Sequence, residues 1–420
     1  MRRIRRAGRQ TFRSLATPNY RTYLIGQIIS ASGSWIQQTA LTWLVVQMTH
    51  GNGFAVGTVV ALQFFPVLLG GAWAGVLADR LDKRRVLIAT SVGAAISATL
   101  LGVLVLTGAI ELWMVYALAA CFGIATALDS PARRSFVTEL VPDHHAANAV
   151  SLNSSVFTAA RVIGPAIAAV LIATVGIGWC FVANAASFVA VIVALMVMDL
   201  HEIHPSEPVP RQPGQLTAGL RYVWAHSALR TTLLLTAIIG TLAFNFQVTV
   251  SLMASKVFDG NAITFASLLA LMSVGALIAS LYVAHREHVT IRFVTMAALG
   301  LGVCMIIAAL TPSIIVFAIV LVPMGATSIA FLSAAGALSQ SRAEPEYRGR
   351  VAALFAVAFL GSTPVGAPIV GGISQVFGPR AGLILGGVTA LVAGGFALRA
   401  LNQRVRTPVG PKPTAATTPM

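Results

Sequence analysis

A chain of 420 residues that is 57% hydrophobic and 10% charged, with a mean hydropathy of +0.83, is too apolar for a soluble globular protein, in which about a quarter of residues are charged. At about 20 residues per spanning helix, the apolar content supplies around a dozen spans and excludes a soluble enzyme held by one anchor. The formal charge of +15 would suit nucleic acid if the basic residues formed one patch, but they are dispersed, so no nucleic-acid partner is expected.

The N-terminal stretch carries Arg2, Arg3, Arg5, Arg6 and Arg9. The apolar run behind it outlasts the 7–15 residues of a signal-peptide core, so it is expected to remain as the first span. Breaks at charged and Gly/Pro-rich positions then predict spans at Tyr23–Met48, Ala55–Ala78, Val86–Leu106, Leu112–Leu128, Ala149–Val175 and Trp179–Met198. After a polar stretch come Thr231–Met253, Ile263–Ala284, Ile291–Leu310, Ile314–Leu338, Val351–Val376 and Ala381–Leu401. Helices rather than barrel strands follow because the runs are long, rich in Leu, Ala, Val and Gly, and lack ten-residue alternation.

The polar stretch contains Pro205, Pro208, Pro210 and Pro213 before an amphipathic Leu216–Trp224 segment, which suits an extended linker followed by a helix at the membrane interface. Pro142, Val150 and Gly164-Pro165 are echoed by Pro345, Val351 and Gly366-Ala367-Pro368. Two related halves of six helices are therefore expected, with a substrate cavity between them near the midplane. The predicted organisation is a basic N-terminus (1–21), a six-helix bundle (22–198), a linker (199–228), a second six-helix bundle (229–402) and a flexible tail (403–420). This is an all-α membrane protein of twelve transmembrane helices in two bundles.

Of 28 Lys and Arg, Arg161 lies inside a span and Lys256 and Arg380 fall in odd-numbered connections. The remaining 25 sit in or beside the termini and even-numbered connections, which places both termini in the cytoplasm of an inner-membrane protein with lipid as its surroundings. Cys121, Cys180 and Cys304 each sit inside an apolar run with no metal-ligand spacing, so no metal or disulfide is expected. No nucleotide-binding, zinc-protease or nucleophile-elbow motif is present. The chain is not expected to be an enzyme, and no catalytic residue or cofactor is assigned.

The most specific segment is Gly75-Val76-Leu77-Ala78-Asp79-Arg80-Leu81-Asp82-Lys83-Arg84-Arg85. It resembles the cytoplasmic signature of the major facilitator superfamily, with Asp82 where that signature has its second glycine. Further segments narrow the resemblance to the third drug–proton antiporter branch, which includes enterobactin and macrolide exporters. They are Gly26-Gln27-Ile28-Ile29-Ser30 through Trp43, Asp129-Ser130-Pro131-Ala132, Ala147-Asn148-Ala149, Ala160-Arg161-Val162-Ile163-Gly164-Pro165, Phe181 with Asn184, Gly219-Leu220-Arg221-Tyr222 and Arg348-Gly349-Arg350-Val351.

The resemblance implies a latch in which Asp79 meets the N-terminus of helix 11 and Lys83 pairs with Asp129, with Gly75, Arg80, Arg84, Arg348 and Arg350 in the same cytoplasmic assembly. It also implies export of amphipathic small molecules in exchange for protons, by a chain able to act as a monomer. A transporter-like receptor or scaffold is the alternative. Gly164-Pro165 resembles the antiporter signature of helix 5, with alanines replacing its final glycines, and equally suits a structural kink.

Arg161 lies about 12 residues, hence roughly 18 Å, into its span. Two roles are open to it: binding an anionic or catechol-like substrate, or bracing helices through backbone carbonyls. Gln27, Trp35 and Gln38 in helix 1, Asn153 in helix 5 and Asn245 in helix 7 are candidate cavity residues, with interhelical hydrogen bonding as the alternative. No acidic residue is expected at midplane depth. Asp129, expected at the cytoplasmic end of helix 4, is therefore the candidate for proton coupling, and simple pairing with Lys83 is its other role.

Overall fold

The computed structural model describes residues 13–203, 215–286 and 289–406, apart from the side chains of 70–80, 215–216 and 404–406. No strand occurs among the described residues. That follows from the solvent: lipid offers backbone amides no partner, and a helix satisfies them within one segment.

The elements are α1 (Pro18–Met48), α2 (Gly53–Arg80), α3 (Lys83–Leu106), α4 (Leu112–Glu139), α5 (Asp143–Thr174) and α6 (Gly178–Met196). Next come α7 (Gln215–Ala225), α8 (Ser227–Leu242), α9 (Phe246–Leu252), α10 (Ala262–Ala284), α11 (Ile291–Leu310) and α12 (Ile314–Arg342). The chain closes with α13 (Arg348–Leu360), α14 (Thr363–Phe377) and α15 (Pro379–Arg406). Among the described residues, ten helical segments are long and apolar enough to cross a membrane, counting α8–α9 as one and α13–α14 as one. The described apolar part of α2, Gly53–Leu69, is shorter. Long α1 is diluted by Gln27, Ser30, Ser34, Gln37 and Gln38.

Three differences from the sequence expectation bear on the site. Helix α4 does not stop at Leu128 but runs through Pro131 to Glu139. Across that proline, the Arg133 Nε donates to Asp129 Oδ2 at 2.7 Å, one turn apart on the same helix. The expected seventh span is interrupted between Leu242 and Phe246, and the expected eleventh between Leu360 and Thr363. The first break is supported locally: Asn245 Nδ2 donates to the Thr241 carbonyl at 2.7 Å, replacing a partner the helix no longer supplies. Irregular backbone at this depth is tolerable where protein or a cavity satisfies it.

Helix α1 packs on α5 and α6, α3 on α4 and α6, and α2 on α4. In the second part of the chain, α12 packs on α10 and α11, and α11 on α15. The two sets meet chiefly along α2 with α14 and α5 with α10.

The first seam is backbone against backbone. A Cβ on Gly57 would strike the Ala367 carbonyl, and one on Gly371 the Gly53 carbonyl. The Gly53 N–H donates to Gln375 Oε1 at 2.9 Å across the same seam. Since Gly53 faces Gly371 and Leu68 reaches Gly361, the helices run antiparallel. The absent side chains permit this approach, and small residues are what helices use in lipid to gain contact. Gly371→Val is expected to force α2 and α14 apart at a cost of about 1–3 kcal/mol. A lowered thermal unfolding temperature in detergent would register that cost, whereas an unchanged one would show that the seam yields freely.

Candidate functional site

A cavity of about 820 Å³ lies between the two sets of helices. Its wall on α2 begins at Val60, beyond the Gly53–Gly57 seam, and its wall on α4 runs from Phe122 to Val137, close to the helix end that leads into Leu140. It therefore extends from the middle of the molecule to the end that carries Lys83, Arg84 and Arg348, called here the basic end.

The α1 wall contributes Ser30, Ser34, Trp35 and Gln38, and the α5 wall Asn153, Phe157, Arg161 and Pro165. Opposite them, the α8–α9 break contributes Phe244, Asn245, Phe246 and Gln247, and the α13–α14 break Phe359, Leu360 and Thr363. Thus the α8–α9 break and the residues flanking the α13–α14 break are part of the cavity wall. Phe244 packs edge-on against Phe359 with ring centroids 5.2 Å apart, which makes this wall aromatic.

Arg161 stands over the Trp35 ring with its guanidinium carbon 4.9 Å from the centroid. The stack depends on Gly164, one turn further along α5, where a Cβ would collide with that of Trp35. Gly164 thus brings α5 onto α1, while Pro165 lines the cavity. The Arg161 carbonyl accepts from Ser273 Oγ at 3.2 Å, a link from α5 to α10. Among the described residues no carboxylate is paired with Arg161.

Asp129 lines the cavity well inside α4, rather than at the end of a span. It is ion-paired with Arg133 and accepts from Thr90 Oγ1 at 3.3 Å. The Arg133 guanidinium also covers the Phe157 ring at 5.4 Å. Lys83 does not reach Asp129; its ion-pair partner is Glu139 at the end of α4, the two side chains being 12% and 6% exposed. The reason is geometric: α4 extends 10 residues beyond Asp129, so Glu139 is the carboxylate level with the start of α3.

The other expected latch groups also have local partners. Asp82 caps α3 by accepting from the Arg85 N–H at 3.2 Å, which gives its place in the glycine position a physical basis. Arg84 Nε donates to the Leu195 carbonyl at 2.6 Å, placing a cation at the C-terminal end of α6. Arg348 Nε donates to the Ala343 carbonyl at 3.2 Å, and Arg350 lies 4.9 Å from the Tyr347 ring. Tyr347 in turn stacks on Tyr222 of α7 at 4.1 Å, so the linker helix is docked on this corner. The side chains of Gly75, Asp79 and Arg80 lie outside the described residues.

Of the expected cavity group, Trp35, Gln38, Asn153, Arg161 and Asn245 are on its wall. Gln27 is not: it lies a turn before Ser30 and is 1% exposed, buried in helix packing. Sequence reading passed over Arg133, Phe157 and Glu139. The Asp129-Ser130-Pro131-Ala132-Arg133 spacing, one helical turn between opposite charges, was the available signal for the first.

The sequence profile of the transmembrane secretion effectors, a group within the major facilitators, matches residues 9–411. The chain is 29% identical to the staphyloferrin A transporter of Staphylococcus aureus over 59% of its own length, and that match spans 62% of the relative. It is 22% identical to macrolide efflux protein A of Streptococcus pyogenes over 86% of this chain and 90% of the relative. A bacterial homologue of the human lysosomal transporter Spinster, solved inward-facing and unoccupied, shares the fold with a TM-score of 0.71, covering 93% of this chain and 98% of that one at 16% identity.

The pairing pattern is checked by double-mutant cycles on unfolding stability. Lys83 with Glu139 is expected to show a coupling of about 0.5–3 kcal/mol, and Lys83 with Asp129 to be additive within about 0.5 kcal/mol. Substantial coupling of Lys83 to Asp129 would contradict this assignment.

Proposed function

The chain belongs to the transmembrane secretion effector family of major facilitator transporters, and on that premise we propose that it exports amphipathic small molecules by alternating access. It is a multi-pass membrane protein of a transporter family rather than an enzyme. The observation that carries the proposal is the cavity between the two sets of helices, which reaches the basic end while glycines hold the opposite end together. Charge distribution supports assigning that basic end to the cytoplasm of an inner-membrane protein with both termini inside. Cargo then enters from the cytoplasm in this conformation and leaves after the α2–α14 seam opens.

In this reading the spans number twelve, with α1 and α2 completing the ten apolar segments, and the halves 22–198 and 229–402 rock about a shared cavity. The opposite conformation closes the basic end through the latch of Asp79, Arg80 and the Lys83–Arg84 turn against the Arg348–Arg350 corner. The names of the relatives support efflux of a drug or a siderophore-like metabolite. Proton antiport is the coupling that fits, with Asp129 as carrier. Ionised Asp129 holds Arg133; once protonated it releases that guanidinium to the cavity, which ties cargo contact to proton occupancy.

The test is reconstitution. Proteoliposomes with an imposed pH gradient are expected to move a fluorescent amphiphile, and Asp129→Asn is expected to abolish gradient-driven movement while leaving ligand binding measurable. Undiminished gradient-driven transport by Asp129→Asn would exclude Asp129 as the carrier. Failure of the unaltered protein to move any of a broad amphiphile panel would refute the export reading.

A further inference from the structure

The charge inventory of the cavity bears on what it binds. Among the described residues its wall holds three guanidinium groups, Arg133, Arg134 and Arg161, against one carboxylate, that of Asp129. That carboxylate is already engaged, since Arg133 pairs with it and Thr90 donates to it. Arg161 has an aromatic ring beneath it and no carboxylate paired with it among the described residues. A cation entering this space would lose water and find the described counter-charge occupied; an anion would find a guanidinium with no hydrogen-bond or ion-pair partner for its polar edge among the described residues. Charges removed from water are favourable only when paired.

A second observation points to the neutral part of the same ligand. Asn245, 3% exposed, lines the cavity with Oδ1 unpartnered. Its Nδ2 donates to the Thr241 carbonyl, so the free amide atom is an oxygen and accepts a hydrogen bond. Gln247 Oε1 beside it and Asn153 Oδ1 on the facing α5 wall are likewise buried without a partner among the described residues. The wall of Asn245 and Gln247 also carries the Phe244–Phe359 aromatic face.

We infer that the cargo is an amphipathic organic anion, its carboxylate, sulfonate or catecholate bound by Arg161, its hydroxyl or amide donors facing Asn245, and its apolar body against the phenylalanines. The inference rests on the export reading and deepens it by giving the cargo a charge sign. It separates this chain from a pump for cationic amphiphiles, which would need an unoccupied carboxylate in the cavity. A volume of about 820 Å³ admits one molecule of drug size.

The test uses the purified full-length protein in nanodiscs and three probes that share one fluorophore: dansylglycine, dansylamide and dansylcadaverine, which are anionic, neutral and cationic at neutral pH. Dansylglycine is expected to bind at least about tenfold more tightly than dansylcadaverine. Arg161→Gln is expected to remove that preference, and Arg161→Lys, which keeps the charge, to retain a large part of it; the thermal unfolding of each variant is followed alongside. The ranking in the unaltered protein stands even if Arg161→Gln fails to fold. Equal or tighter binding of the cation would overturn the inference while leaving export untouched, as would an anion preference unchanged in folded Arg161→Gln. Absence of saturable binding by all three probes would overturn the cavity as a cargo site, and with it the structural support for export.

Discussion

Helices α2 and α14 come from opposite ends of the chain and touch backbone to backbone, and the arrangement of the cavity depends on that contact. Gly53 and Gly57 face Ala367 and Gly371 with no side chain between them. In water such a seam would gain little beyond what larger apolar residues give. In lipid, where apolar burial drives nothing, close approach is itself the attraction. The seam occupies only one end. Past Gly57 the wall side chains become Val60, Gln63 and Phe64, the helices stand off, and the space that opens is the cavity. One-sided access thus follows from where the glycines sit along two antiparallel helices.

The second constraint is dielectric. Among the described residues, five charged side chains inside the bundle have an identifiable arrangement: Lys83 with Glu139, Asp129 with Arg133, and Arg161 over Trp35. The first lies at the basic end, away from the cavity lining; the other two are on the cavity wall. A buried pair is weak support for stability, since dehydration offsets most of the attraction. Pairs retained on a cavity wall are better understood as groups that change partners. In the proposed mechanism Asp129 and Arg133 make such an exchange, a ligand anion and the carboxylate competing for one guanidinium.

Much of this was legible in the sequence, for definite reasons. Long apolar runs bounded by arginine fix helical spans because lipid leaves the backbone no alternative, and polar residues inside those runs stand out against a low background. That is why Trp35, Gln38, Asn153, Arg161 and Asn245 could be singled out, and all five lie on the cavity wall. Gln27 shows the weakness of the same rule: it shares the polar stripe of α1, but a neighbouring helix rather than the cavity covers it at that height. The helix break at 243–245 was not legible, as Ala243 and Phe244 sit in apolar sequence that would serve a continuous helix. Tertiary contact decides it, with Asn245 restoring a lost hydrogen bond. The break at 361–362 carried a signal that was passed over, Gly361-Ser362-Thr363-Pro364 with the proline in the first turn of α14. The pairing of Lys83 with Asp129 was carried over from the resemblance, which has the acid at the end of helix 4, whereas here the helix continues past Asp129 and Pro131 to Glu139, which pairs with Lys83.

If one-sided access alternates, the seam must separate once in every cycle, and a bridge across it must stop transport. Phe54 and Gly372 face each other there, the added Cβ of residue 372 lying 3.8 Å from the Phe54 ring. In a background lacking exposed Cys121, Phe54→Cys with Gly372→Cys can be joined by a short bifunctional thiol reagent and assayed in proteoliposomes. The account predicts that the bridged protein binds ligand from the basic end but moves none across the membrane, while each single-cysteine variant treated alike transports. Transport at an undiminished rate with the bridge intact would contradict it.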